Sequence, residues 1–346
     1  MKKILIIQTA FIGDVILATP VAEKLHRVFP EAGIDFLLRK GNEELFNGHP
    51  FINNVIIWDK KDNKYKNILK IIRRVRSNHY DLVVNLHRFG FSGIVTALSK
   101  AKRTIGFNKN PFSYFFSKRV KHLIGKENFQ NHEIDRNLSL IAGYGDQSRI
   151  MPRLYPTAKD YQKVEILSNK EYICIAPASV WFTKQYPKEK WIELVKSIED
   201  NLHICLIGSE TDKILCHEII GESGHRCIDN MAGELNLLET AALIKNAKMN
   251  FVNDSAPMHI ASAMNAPVSA VYCSTIPEFG FGPLSEKSNV IQTDEYLECR
   301  PCGLHGLTSC PENHFECAYT IRTESLLKTI KNSNCSGIEL KDWAIP

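Results

Sequence analysis

Short apolar runs alternate along the chain with longer stretches whose apolar positions recur every three or four residues, a pattern that predicts βα units on a parallel sheet. Lys3–Gln8 reads as the first strand, and a helix from Asp14 to Arg27 follows with Val15, Ala18, Val21, Ala22 and Leu25 on one face. Gly33–Leu38, Val55–Trp58 and Asp81–Leu86 read as strands, Lys64–Ser77 as an intervening basic helix, and Arg103–Gly106 as a short strand. His132–Gly143 reads as a helix closing this half, and Ala142–Lys159, with Gly143, Gly145, Pro152 and Pro156, reads as a linker. The alternation then restarts with strands Tyr172–Ala176, His203–Gly208, Asn250–Asn253 and Val268–Tyr272. Between them lie helices Lys188–Asp200, Thr211–Ile220, Leu237–Asn246 and Pro257–Met264. The expectation is an α/β chain of two facing Rossmann-like domains, with the ligand in the cleft at the C-terminal ends of the strands.

Length agrees with two halves, since 346 residues exceed one typical domain. The expected bounds are 1–155 and 156–322, with 323–346 a helix or tail returning toward the first domain. Hydrophobic residues make up 44% and charged residues 23%, ordinary values for a globular protein, and no apolar run approaches the roughly 20 residues that span a bilayer. The apolar opening after Met1-Lys2-Lys3 is too short for a secretory signal and runs directly into Gly13-Asp14, so it reads as a buried strand. Charge changes the picture more. Residues 1–160 carry 27 Lys+Arg against 14 Asp+Glu, and the remainder 16 against 24, so a basic first half precedes an acidic second half. Either the first half handles an anionic partner or it presents a solvated basic surface.

Candidate chemistry lies just beyond the strands. The turn Gln8-Thr9-Ala10-Phe11-Ile12-Gly13-Asp14 is no Gly-x-Gly-x-x-Gly, and no Walker-type Gly-Lys-Ser/Thr follows any strand. The first half instead offers Asp14 at a helix start, where the dipole favours the ionised form that a proton-accepting base needs. The plain alternative is a helix cap. In the second half, Asn253-Asp254-Ser255-Ala256-Pro257-Met258-His259 comes after a strand and opens a helix, whose free N–H groups suit phosphate. Ser179 and Lys184, after another strand, add a hydroxyl and a cation that suit a diphosphate leaving group. Alone, His259 is more often a helix-capping or core histidine than a ligand contact, and Lys184 most often a solvated surface lysine.

These motifs together resemble the heptosyltransferase family, glycosyltransferase family 9. The resemblance runs from Ile4 to about Ile321 and rests on Gln8–Pro20, Ala101–Phe107, Asn131–Leu138, Lys184–Pro187 with Trp191, Met231–Gly233 and Asn253–His259. It implies a GT-B fold, acceptor bound by the first domain, nucleotide sugar by the second, and inverting transfer with no cofactor or essential metal required. The absence of an Asp-x-Asp pair agrees with the last point. By the same resemblance Asp14 matches the catalytic base, and Ser179 and Lys184 match diphosphate-side contacts. Asp254, Ser255, Ala256 and His259 match the donor loop, Leu235 the adenine pocket and Glu210 a ribose contact. Ala256 stands where relatives usually have glycine, and its methyl bears on how closely backbone approaches the donor, hence on the sugar.

The implied reaction moves a heptose from ADP-heptose to an anionic lipopolysaccharide inner-core acceptor. Lys61, Lys64, Arg73 and Arg103 are then the expected acceptor contacts, within basic clusters at 60–76 and 100–121 interleaved with Phe107, Phe112, Tyr114, Phe115 and Phe116. Such a surface also suits the anionic cytoplasmic face of an inner membrane, placing the protein in the cytoplasm as a peripheral component. It would suit single-stranded nucleic acid too, but no nucleic-acid module accompanies it. The alternatives are a GT-B transferase for another nucleotide sugar and a non-catalytic anionic glycolipid-binding protein. Ten cysteines without a signal peptide suggest reduced thiols. Cys299, Cys302, Cys310 and Cys317 cluster so closely that a structural metal and free thiols both remain open.

Overall fold

The computed structural model describes residues 1–60, 64–124, 132–168 and 170–332. Its first half carries β1 (Lys3–Gln8), α1 (Ile12–Ile16), α2 (Thr19–Val28), β2 (Gly33–Arg39), β3 (Ile52–Trp58), α3 (Lys64–Ser77), β4 (Leu82–Asn85), α4 (Gly90–Ala97), β5 (Arg103–Phe107), β6 (Lys118–Val120) and α5 (Glu133–Ser139). The second half carries α6 (Ala158–Ser168), β7 (Tyr172–Ala176), α7 (Lys188–Lys196), β8 (His203–Leu206), α8 (Lys213–Ser223), β9 (Ile228–Asn230), α9 (Leu237–Asn246), β10 (Asn250–Asn253), α10 (Ala256–Ala263), β11 (Val268–Tyr272), β12 (Ser288–Gln292), α11 (Glu316–Tyr319) and α12 (Thr323–Asn332).

Central strands such as β1, β7 and β11 bury both faces, so they read as continuous apolar runs rather than alternating ones. They form two six-stranded sheets, ordered β3-β2-β1-β4-β5-β6 and β12-β11-β10-β7-β8-β9. Every pairing is parallel, and Ile4 lies opposite both Ile34 and Leu82. Read from its own first strand, each half has the same doubly wound order, which reverses between β1 and β4 in one and between β7 and β10 in the other. A crevice opens at such a switch point, beyond the C-terminal strand ends. An apolar core continuous through both halves, from Ile4, Val15 and Leu25 to Leu238, Met258 and Tyr272, lies beneath these edges.

Two features depart from the sequence expectation. The helix expected over Asp14–Arg27 is two helices, α1 and α2. Pro20 has no N–H to give Ile16 O, which accepts from Thr19 Oγ1 at 2.8 Å instead, and the chain turns there. Strands β6, β9 and β12 and helices α4, α6 and α11 were not anticipated. The described part of the expected C-terminal helix, Thr323–Asn332, packs on α7 and β12, while 333–346 lie outside the described residues.

Candidate active site

Asp14 sits in the first turn of α1, directly after β1, and its carboxylate accepts the Phe11 N–H at 3.2 Å. The side chain is half-buried. Against the expectation that the helix start favours the ionised form, burial dominates and raises its pKa above the usual carboxylate value. The Phe11 N–H and the charges of Arg88 and Lys184 pull the other way without prevailing. Cap and base are therefore compatible roles, because a raised pKa makes the ionised group a better proton acceptor. Asp14 is also brought against the second half: a Cβ on Gly13 would lie 2.7 Å from His259 Cδ2, so glycine is what lets α1 meet α10.

Across the cleft, Lys184 Nζ pairs with Asp254 Oδ2 at 2.7 Å, their side chains 16% and 8% exposed. Thr275 Oγ1 donates to the same oxygen at 2.7 Å. Asp254 is thus occupied by the protein and orients Lys184, and a carboxylate in this place would repel a diphosphate rather than hold it. Asn253, the last residue of β10, fixes both loops at once. Its Oδ1 accepts the Tyr186 N–H at 2.9 Å, and its Nδ2 donates to Pro177 O at 2.9 Å. Ser255 is the N-cap residue of α10, with its hydroxyl bonded to Asn253 O at 3.3 Å, and Ala256 begins the helix. His259, one turn in, is buried, and Nδ1 has no partner among the described residues. Desolvation lowers its pKa to about 3, with His132 and Lys184 adding to the effect and Asp254 opposing it.

The remaining donor-side candidates also converge. Ser179 lies half-buried in the loop after β7, its carbonyl accepting from Gln185 Nε2 at 2.7 Å. Glu210, after β8, pairs with Lys213 at 3.0 Å. Gly233 at φ +75° lets the next loop pass so close that an added Cβ would lie 2.9 Å from Glu210 Cα. That passage brings Leu235, half-buried against the core, to the same side as Glu210.

The acceptor-side expectation needs correcting. Arg103 begins the parallel strand β5, so it lies at the N-terminal edge of the sheet, away from the cleft, where its N–H donates to Asp81 O at 3.0 Å. Arg73 is exposed on α3, about 13 Å along the axis from the helix start. Lys61 and the side chain of Lys64 lie outside the described residues, as does Asn131. The cations that do reach the C-terminal edge are Arg39, Lys60 and Arg88, from the ends of β2, β3 and β4. Arg39 stacks over exposed Phe11 at 4.9 Å, and Lys60 over Trp58 at 4.9 Å. Arg88 and Lys60 both act on the buried His87 ring, whose pKa falls to about 4, burial being the larger cause. Sequence reasoning passed over Arg88, although its place just after a strand at the switch point marked it.

The cysteine segment packs on the donor loop. Thr183 N donates to Leu307 O at 3.1 Å, and Leu307 N to Thr183 Oγ1 at 2.8 Å. The described cysteines are free thiols, and among the described residues no group of three or more His, Cys, Asp or Glu is placed to hold a metal ion.

The sequence profile described as glycosyltransferase family 9 (heptosyltransferase) matches residues 68–304, ending one residue before His305. Lipopolysaccharide heptosyltransferase 3 of Escherichia coli K12 is 28% identical over 300 residues, covering 81% of this chain and 84% of its own. Among solved structures, the family 9 glycosyl transferase of Veillonella parvula superposes with a TM-score of 0.80 at 19% identity, over 96% of this chain and 97% of its own. An E. coli heptosyltransferase solved with ADP-2-deoxy-2-fluoro heptose gives a TM-score of 0.72 at 18% identity, over 95% and 99%. The two facing sheets are accordingly the GT-B fold of those structures.

Proposed function

The chain belongs to glycosyltransferase family 9, the heptosyltransferases, and on that premise we propose that it moves a heptose from ADP-heptose onto an anionic lipopolysaccharide inner-core acceptor with inversion. One observation carries the reading: Asp14 and Arg88 flank one switch point, Lys184 and the Asp254–His259 loop flank the other, and Gly13 meets His259 between them. The donor half, 156–322, supplies Lys184 and the α10 start for the departing diphosphate. The acceptor half, 1–155, supplies the base.

In the proposed reaction the bond from the sugar C1 to the diphosphate oxygen lengthens first, leaving positive character on C1. The acceptor hydroxyl attacks from the opposite face, and its proton passes to Asp14. Base catalysis contributes typically about 10²–10⁴-fold, so orientation and leaving-group stabilisation carry much of the rest. The anionic diphosphate draws Lys184 Nζ into sharing its charge between Asp254 and the leaving group. ADP-heptose is supported by the fluoro-heptose nucleotide in the solved relative, and a lipopolysaccharide acceptor by the names of the relatives. Arg39, Lys60 and Arg88 around Phe11 suit an acceptor bearing phosphate or carboxylate groups. We also propose transfer without a metal ion, Lys184 meeting the charge that a divalent ion would otherwise balance.

Turnover with ADP-heptose against UDP-, GDP- and other ADP-sugars tests the donor, and preference for another sugar overturns it. Full activity in EDTA is expected, and activity restored only by a divalent ion would refute the metal-free mechanism. Mass spectrometry of the core oligosaccharide from a deletion strain names the acceptor by its truncation point. For the membrane contact, Tyr114 and Phe115 are 79% and 68% exposed beside Lys118, Arg119 and Lys121. The protein is expected to sediment with anionic vesicles at low salt and to be released at high salt. Among the described residues no helix is long and apolar enough to cross a membrane.

A further inference from the structure

The stretch after Cys299 is tied to the donor half at three levels. Arg300 donates to Cys273 O at 2.6 Å and Thr275 O at 2.9 Å, anchoring the stretch beyond the end of β11. Cys302 N donates to Ser274 O at 3.1 Å, and Ser274 Oγ to Thr183 Oγ1 at 3.0 Å. Residues 306–307 then lie along Thr183 and Lys184 through the two Leu307 bonds. Gly306 is buried there with no room for a side chain: a Cβ would lie 2.9 Å from Lys184 Cγ and would overlap Trp181 Cβ. Its backbone therefore crosses the aliphatic stem of Lys184, the far end of which is held by Asp254. His305 is thereby delivered beside Lys184, and the residue is exposed to solvent at the cleft.

We propose that residues 305–307 complete the diphosphate face of the cleft, with His305 donating a hydrogen bond to a phosphate oxygen and Gly306 positioning Lys184. This rests on the nucleotide-diphosphate donor proposed above. The electrostatics agree with the geometry. Partial burial, then the charges of Lys184 and Arg88, lower the His305 pKa, with Asp254 opposing, so the ring responds to cations from both halves. A ring in that company is held neutral, and a neutral imidazole still offers one N–H donor. A diphosphate is a class of ligand that satisfies a lysine and an imidazole N–H offered side by side.

Calorimetric titration of wild type, His305→Ala, His305→Gln and Gly306→Ala with ADP, GDP and UDP tests this. His305→Ala should weaken the nucleotide that wild type binds by about tenfold, the loss expected for one hydrogen bond to a charged oxygen. His305→Gln, which keeps an N–H donor, should recover most of that affinity. Gly306→Ala, which displaces Lys184, should lower kcat as well as affinity. Since His305 is exposed, His305→Ala should melt with wild type, which separates a ligand contact from a structural role. His305→Ala binding within twofold of wild type overturns the proposal. Preference for GDP or UDP over ADP would count against ADP-heptose alone, because the His305 readout is then taken on the preferred nucleotide. If wild type binds none of the three, both readings fall.

Discussion

A carboxylate beside β1 must be desolvated enough to be a useful base, and that same desolvation works against the fold. Burial raises the Asp14 pKa above its unfolded value, so the folded state binds this proton more tightly than the unfolded chain does. Stability from this group is therefore greatest below the unfolded pKa, about 3.9, and is lost as pH rises through the raised folded value. Asp14→Asn should unfold at higher denaturant than wild type at pH 7, with the difference shrinking toward pH 4. The same variant should bind nucleotide and lose about 10²–10⁴-fold in transfer, and wild-type turnover would remove Asp14 from the mechanism. In wild type the acid limb of kcat/KM should fall above the ordinary carboxylate value. Lys184 offers a second test. Removing it leaves Asp254 buried with Thr275, so Lys184→Ala should cost on the order of 2 kcal/mol by chemical denaturation. Removing Asp254 as well should restore stability but not transfer.

At the scale of elements, the proposed catalysis depends on how closely two helix starts approach. Gly13 is the point of contact between α1 and α10, and Gly13→Ala forces its methyl onto the buried His259 ring. A displacement of about 1 Å at a reacting pair can cost about 10²-fold, so kcat should fall by that order while nucleotide affinity stays near wild type. Unchanged kcat would mean that α1 and α10 do not set the Asp14 geometry. The strands that the sequence hid share a physical cause. β6, β9 and β12 are edge strands, and short edge strands carry polar or exposed residues that break the apolar run used to recognise a strand. β1, β7 and β11, buried on both faces, were plain from their composition.

Across the whole molecule, α5 straps the halves together. Glu133 N donates to Gly280 O at 2.7 Å, and Arg136 Nη2 to Phe279 O at 2.9 Å. His132 Nε2 lies 3.0 Å from Gly282 O. Arg136 also pairs with Glu133 at 2.7 Å, their side chains only 4% and 9% exposed. Arg136→Ala should therefore destabilise by about 3–5 kcal/mol, because it leaves a buried carboxylate unpaired. Glu133→Gln, which keeps an acceptor without the charge, should cost less in the same denaturation assay.

The sequence by itself determined the doubly wound α/β class, the strands of both sheet centres, and the segments beyond the strands that bear Asp14, Lys184 and His259. Those are local facts, written in periodicity and in the residues at the C-terminal end of each strand. Only the tertiary structure decided that Arg88 reaches the cleft while Arg103 faces away, since a strand's direction in the sheet determines which end meets the site. It alone gave Asp254 to Lys184 and laid residues 305–307 across that lysine. Such pairings join residues far apart in the chain, and they exist only once β7, β10 and β11 lie side by side in the second sheet.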